Sequence, residues 1–176
     1  ADRDNFSSGR AYIFYNDGNL PSNADFADVI ISGEGGSSNF GNAFAAADMN
    51  TDGRVDLIVG AFYYNGSAIG KTYIFYNDGS IPTTAASADV IITGEENRKR
   101  FGYSLAPGDF NADGKTDLAV GANAGVSGSA LSRIFVFTSQ NGQVNTNVNL
   151  TGESSSLFGI SLAPGDFNAD GKTGLT

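Results

Sequence analysis

The stretch from Phe101 to Asn123, FGYSLAPGDFNADGKTDLAVGAN, reads as a strand, a tight acidic loop and a second strand. The same phrase stands at Phe40 to Phe62 and begins a third time at Phe158. Within the two full copies the loops present Asp48, Asn50, Asp52, Gly53 and Asp56, then Asp109, Asn111, Asp113, Gly114 and Asp117. Oxygen-bearing side chains occupy the first, third, fifth and ninth positions and glycine the sixth. That pattern suits a hard divalent cation held by oxygen ligands, with calcium the best match.

The competing reading of such a loop is an EF-hand, which opens in the same way but needs a bidentate Glu at position twelve and flanking helices. Position twelve is Val59 in one copy and Val120 in the other, each inside an apolar run, so the EF-hand is excluded. A turn rich in Asp and Asn for its own hydrogen bonds is the plainer alternative. Recurrence of the whole ligand set in register argues against it. The expected ligands are the carboxylates of Asp48, Asp52, Asp56, Asp109, Asp113 and Asp117, the amide oxygens of Asn50 and Asn111, and the backbone carbonyls of Arg54 and Lys115. The third loop offers Asp166, Asn168, Asp170 and Lys172, but Gly174 replaces the last Asp, so its site is expected to be weaker or empty. The expected role is structural, because crowded carboxylates repel until a cation neutralises them.

Composition narrows the function further. Of 176 residues 40% are hydrophobic, enough for a core despite the many Gly, Ser and Asn. The formal net charge of -9 argues against nucleic acid, whose phosphates it would repel. There is neither cysteine nor histidine, which removes disulfides, soft-metal sites and the commonest general base. No apolar run approaches the roughly 20 residues of a membrane helix. Calcium loops of modest affinity are filled outside cells, so an extracellular or cell-surface setting is expected.

Around the loops the chain repeats. Arg10 to Tyr15 and Thr72 to Tyr76 read as strands, closed by Asn16-Asp17-Gly18 and Asn77-Asp78-Gly79. Asp28 to Ile31 and Asp89 to Ile92 read as further strands, followed by Ser32-Gly33-Glu34 and Thr93-Gly94-Glu95. A full unit holds four short strands, in the later copy Phe101 to Ala106, Asp117 to Gly121, Arg133 to Phe137 and Asn147 to Leu150. No window sustains a 3.6-residue period, so helices are expected to be nearly absent. Leu57-Ile58-Val59 and Val90-Ile91-Ile92 are apolar on both faces, which predicts sheets sandwiched between sheets. Gly102, Ser104 and Ala106 alternate with larger residues, and small residues on one face suit a place where sheets converge. The predicted fold is all-β, a β-propeller of four-stranded antiparallel blades.

These residues resemble the FG-GAP repeats of the integrin alpha-subunit propeller and its bacterial relatives. Phe40-Gly41, Phe101-Gly102 and Phe158-Gly159 carry the "FG". Val59-Gly60-Ala61 and Val120-Gly121-Ala122 stand where the "GAP" falls, with Phe62 and Asn123 in place of its proline. The resemblance implies that each loop joins the first and second strands of a blade and holds one calcium on one rim. It also implies adhesion or partner binding through loops on the opposite rim.

The units divide as 1–39, the outer half of a blade; 40–100 and 101–157, full blades; and 158–176, an inner strand with its loop. About three blades' worth of sequence cannot close a ring of the usual four to eight. Two expectations stay open: a slice of a longer propeller, or copies joined head to tail, two of which would give six blades. The expected function is a calcium-binding interaction or adhesion module for an extracellular protein or glycan, without catalysis. A glycan-binding lectin is the alternative, for which Tyr63 and Tyr64 could stack on a sugar, although capping a hydrophobic edge is the favoured reading of the pair, and the propeller part of a secreted hydrolase is a third. Arg98-Lys99-Arg100 reads as a solvated turn between blades.

Overall fold

A computed structural model describes residues 8–63, 69–95, 100–124, 131–140, 143–153 and 156–176. Tyr64, Arg98 and Lys99 lie outside these residues. The described chain is built from four antiparallel sheets in sequence order. The first pairs β1 (Arg10–Ile13) with β2 (Val29–Ser32). The second is a meander of β3 (Phe40–Ala47), β4 (Asp56–Ala61), β5 (Lys71–Phe75) and β6 (Val90–Thr93). The third repeats it as β7 (Phe101–Gly108), β8 (Asp117–Ala122), β9 (Arg133–Gln140) and β10 (Gln143–Thr151). The last pairs β11 (Pro164–Gly165) with β12 (Gly174–Leu175). Helix is confined among the described residues to single 3-10 turns at Ala24–Phe26 and Ala85–Ser87.

Side-chain alternation explains the stacking. Successive residues of a strand face opposite sides. On β4, Ile58 joins a core shared with Phe101, Leu118, Val120, Phe135 and Phe137 of the following blade. Val59 and Ala61 face the other way, into a core with Ala11, Ile31, Tyr73 and Phe75. On β8 the division repeats: Leu118, Val120 and Ala122 face back, while Ala119 faces a third core with Ala106, Ile134 and Val136. Each second strand is therefore buried on both faces, and the sheets stack face to face as propeller blades do.

The Phe-Gly pair makes the stacking specific. Phe40 packs edge-on against Tyr73 and Phe75, at 5.3 and 6.5 Å between ring centroids. Phe101 packs tilted against Phe135 at 5.7 Å and edge-on against Phe137 at 5.9 Å. Burying one such ring contributes about 1.5–3 kcal/mol, and the edge-on contacts add about 0.5–1.5 kcal/mol. The glycine that follows is required by the backbone: Gly102 sits at φ +84 where the β7–β8 ladder skips from Phe101 to Ser104. Gly60 lies so near the same turn that a Cβ there would stand 2.1 Å from the Gly102 carbonyl oxygen. Ser104, one of the small residues of β7, donates its hydroxyl to the Gly159 carbonyl at 2.6 Å.

Several strand ends differ from the sequence expectation, and hydrogen bonding says why. The runs expected to reach Tyr15 and Tyr76 end at Ile13 and Phe75. The amides of Tyr15 and Tyr76 leave the ladder to donate to the carboxylates of Asp28 and Asp89, each at 2.7 Å. The strand expected from Asn147 is longer, running from Gln143 to Thr151 across a bulge between Thr146 and Val148. In the third copy the expected inner strand from Phe158 is turn and bend, and pairing is limited to Pro164–Gly165. Its partner there is Gly174–Leu175, and the Ala163 and Thr176 backbones bond each other beside it.

Replacing Gly102 with Ala places a Cβ 2.4 Å from the Lys71 carbonyl oxygen at a left-handed backbone angle. G102A is expected to lose roughly 3 kcal/mol or more of stability by urea denaturation, whereas G53A, in open space, should lose less.

Candidate functional site

The three acidic loops fold alike because the same short side chains bond the same amides. In the first, the Asp52 amide donates to Asp48 Oδ1 at 3.2 Å and to Asn50 Oδ1 at 3.0 Å. The Gly53 amide donates to Asp48 Oδ2 and the Arg54 amide to Asp52 Oδ1, both at 2.8 Å. The second loop matches bond for bond: Asp113 to Asp109 and Asn111, Gly114 to Asp109, Lys115 to Asp113. So does the third: Asp170 to Asp166 and Asn168, Gly171 to Asp166, Lys172 to Asp170. Such bonds curl the backbone tightly enough that the fourth position is left-handed in every copy, at Thr51, Ala112 and Ala169. Glycine at the sixth position meets the same demand without steric cost, at φ +83 for Gly53 and +81 for Gly114 and Gly171.

Positions one and three thus bring two side-chain oxygens to one amide, on the inner side of the curl. The side-chain oxygens gathered there, carboxylate and amide, are of the chemistry that a hard divalent cation prefers. Among the described residues no three acidic side chains are gathered into a cage made by carboxylates alone. Calcium would therefore need amide and backbone oxygens beside the carboxylates, and the three carboxylates expected in each full loop, Asp48, Asp52 and Asp56 and then Asp109, Asp113 and Asp117, are not drawn together into one cage. The Arg54 and Lys115 amides close the loop on Asp52 and Asp113, while the Arg54 guanidinium reaches the Asn77 carbonyl at 3.2 Å.

The ninth position has a distinct place. Asp56 and Asp117 are 1% and 0% exposed, unlike the surface carboxylates at position five. Each uses both oxygens as a bracket between the loop and the end of the third strand. Asp56 accepts from the amides of Met49 at 2.8 Å and Asn77 at 2.9 Å. Asp117 accepts from Phe110 and Ser139, each at 3.0 Å. An accepted N–H occupies one lone pair per oxygen, and a carboxylate oxygen has a second. Burial lifts the Asp117 carboxyl above its ordinary value, against the pull of its two backbone bonds, with Asp113 and Asp109 adding to the lift. The Tyr76 hydroxyl is raised as well, first by burial, then by Asp56 and Asp89. Both shifts come first from burial, with neighbouring carboxylates adding to them.

Tyr63 lies on the rim away from these loops. Its ring is 5.0 Å from that of Phe62, which in turn lies 5.3 Å from Tyr103, and its amide donates to the Ser38 carbonyl. It caps an aromatic cluster between blades rather than standing free. The sequence reading does not include the brackets of Asp28 and Asp89, nor the contact of Glu34 with Lys71 and Tyr73 at 2.8 and 3.0 Å. Their signal is present in the repeat: Asp precedes the Val-Ile-Ile runs and Glu follows Gly33, Gly94 and Gly152 each time.

Residues 101–144 match the family model described as FG-GAP repeat. The phosphatidylinositol-glycan-specific phospholipase D of Rattus norvegicus is 36% identical over 149 residues, 77% of this chain but 18% of that protein. Integrin alpha-IIb of Mus musculus is 38% identical over 103 residues, 54% of this chain and 10% of the integrin. Integrin alpha-7 of Rattus norvegicus is 36% identical over 152 residues, 82% of this chain and 13% of the integrin. The chain spans less than a fifth of the length of these relatives.

Two predictions separate the bracket from the exposed ligands. D117A strands the Phe110 and Ser139 amides and should cost about 2–3 kcal/mol in urea denaturation even without calcium, whereas D113N should cost under about 1 kcal/mol. Because the folded Asp117 holds its proton above the unfolded value, its contribution favours folding at low pH. That contribution is lost as pH rises from about 4, the unfolded value, through the raised one. Calcium-free denaturation series across that range should show this component in the wild type and not in D117A.

Proposed function

The chain belongs to the FG-GAP repeat family, and from that premise we propose that it is a calcium-binding propeller module that presents an interaction surface outside the cell or on its surface. The observation that carries the reading is the threefold recurrence of one oxygen-lined loop with one pattern of internal hydrogen bonds. Calcium at Asp48, Asn50, Asp52 and Asp56, and at Asp109, Asn111, Asp113 and Asp117, offsets the carboxylate repulsion and ties the first and second strands of each blade. The third loop, with Gly174 in place of the bracket, binds more weakly.

The module itself is read as non-catalytic. The same stretch is similar to segments of a phospholipase D, whose name gives it an activity, and of integrins, whose names give none. A segment common to both is better read as a binding scaffold than as the seat of that activity. The chain has no His or Cys, and the recurring carboxylates are tied into loops and brackets, which supports that reading. The partner is a protein or glycan engaged at the rim away from the acidic loops. Tyr63 takes part in the aromatic cluster there, which favours a protein surface over sugar stacking.

Thermal unfolding in calcium and in chelator tests the metal reading. A hundredfold excess over Kd adds about 2.7 kcal/mol per filled site, roughly 5–10 °C in Tm for a chain of this size. D52N and D113N should each remove part of that rise while leaving the Tm in chelator nearly unchanged. An identical Tm with and without calcium overturns the proposal.

A further inference from the structure

Ser139 is the penultimate residue of β9, the third strand of the second full blade, and it is the place where the two full acidic loops meet. Its amide donates to Asp117, the ninth residue of the second loop, at 3.0 Å. Its hydroxyl donates to the carbonyl of Met49, the second residue of the first loop, at 3.1 Å. The Met49 amide in turn donates to Asp56, the ninth residue of that first loop, at 2.8 Å. A continuous path of hydrogen bonds therefore runs from Asp56 through Met49 and Ser139 to Asp117. Every member is buried, with Ser139 the most exposed at 4%. The Met49 side chain adds a second link, since it is 1% exposed and packs in the core with Phe101, Leu118, Phe135 and Phe137 of the second blade.

We propose that Ser139 and Met49 couple the two calcium loops, so that filling one raises the affinity of the other. This rests on the calcium reading above. The physical basis is that a cation in the first loop fixes the Asp56 carboxylate and with it the Met49 peptide. The fixed Met49 carbonyl holds the Ser139 hydroxyl, and the Ser139 peptide is the one that presents its amide to Asp117. A peptide already ordered by one site costs less to order at the next, which is positive cooperativity without a new contact. By linkage the effect is reciprocal. Hydrogen bonds buried together in a low-dielectric interior act as a unit more than exposed ones do. The symmetry of the repeat does not supply the link: Asn77, at the place of Ser139 in the first blade, likewise donates its amide to Asp56. It carries an amide side chain in place of the hydroxyl.

The test is a site-resolved calcium titration of the full chain by proton–nitrogen NMR, reading the amides of Gly53 and Gly114, which are bonded to Asp48 and Asp109. D52N, which weakens the first loop, is expected to lower the affinity reported by Gly114 about fivefold or more. In S139A the same D52N change should move Gly114 by less than twofold, and S139T, which keeps a hydroxyl, should restore the dependence. If Gly53 and Gly114 both titrate but D52N leaves Gly114 unchanged, the coupling is overturned and the calcium reading stands. Survival of the dependence in S139A overturns the coupling in the same way. If neither glycine responds to calcium in the wild type, both readings fall together. The comparison of wild type with D52N decides the question even where S139A does not fold.

Discussion

A buried carboxylate that must satisfy backbone amides on two sides is the constraint on which each blade depends. Asp56 and Asp117 sit at the base of their loops, sealed from solvent, and each clamps the loop to the end of the third strand. Burying a carboxylate without partners would cost several kcal/mol, so the two amides are a condition of its being there. Because the clamp reaches across the second strand, it fixes where the loop stands relative to the sheet. The exposed ligand positions one, three and five then inherit a defined orientation. Burial raises the proton affinity of Asp117 even though two backbone amides favour its charged form.

At the opposite end of the blade the constraint is steric. The bulge at the FG glycine lets the phenylalanine turn into the core between sheets while the backbone of the neighbouring blade passes within van der Waals distance. One end of the blade is set by close packing and the other by hydrogen-bonded charge. A rigid scaffold of this kind leaves its connecting loops free to vary, which is where binding surfaces are commonly carried.

Much of this is legible in the sequence because the chain repeats itself. Phe-Gly, the acidic loop and the Val-Gly-Ala run recur at Phe40 and Phe101, and the recurrence sets the order of strands and the position of the loops between first and second strands. Val59 and Val120 are buried strand residues, as the exclusion of an EF-hand requires. What the sequence hides is how a single side chain divides its labour. The sequence reading treats Asp56 and Asp52 alike as ligands, yet Asp56 is buried and bonds amides on two sides, while Asp52 is exposed and bonds only within its loop. The strands stop short of Tyr15 and Tyr76 because distant carboxylates, Asp28 and Asp89, take their amides from the ladder. Ser139 carries no sequence signal at all, since its contact with Met49 joins residues of different repeats. Pairings across blades are set by stacking, and stacking is invisible to a pattern read along one strand.

The central claim is that the repeated loops hold calcium. Native mass spectrometry of the chelator-stripped chain at rising calcium counts the ions directly. The account predicts two ions per chain at low calcium, and a third only at much higher concentration because of Gly174. A mass that stays at the metal-free value, or ions that add without discrete steps as they would to any acidic surface, contradicts it.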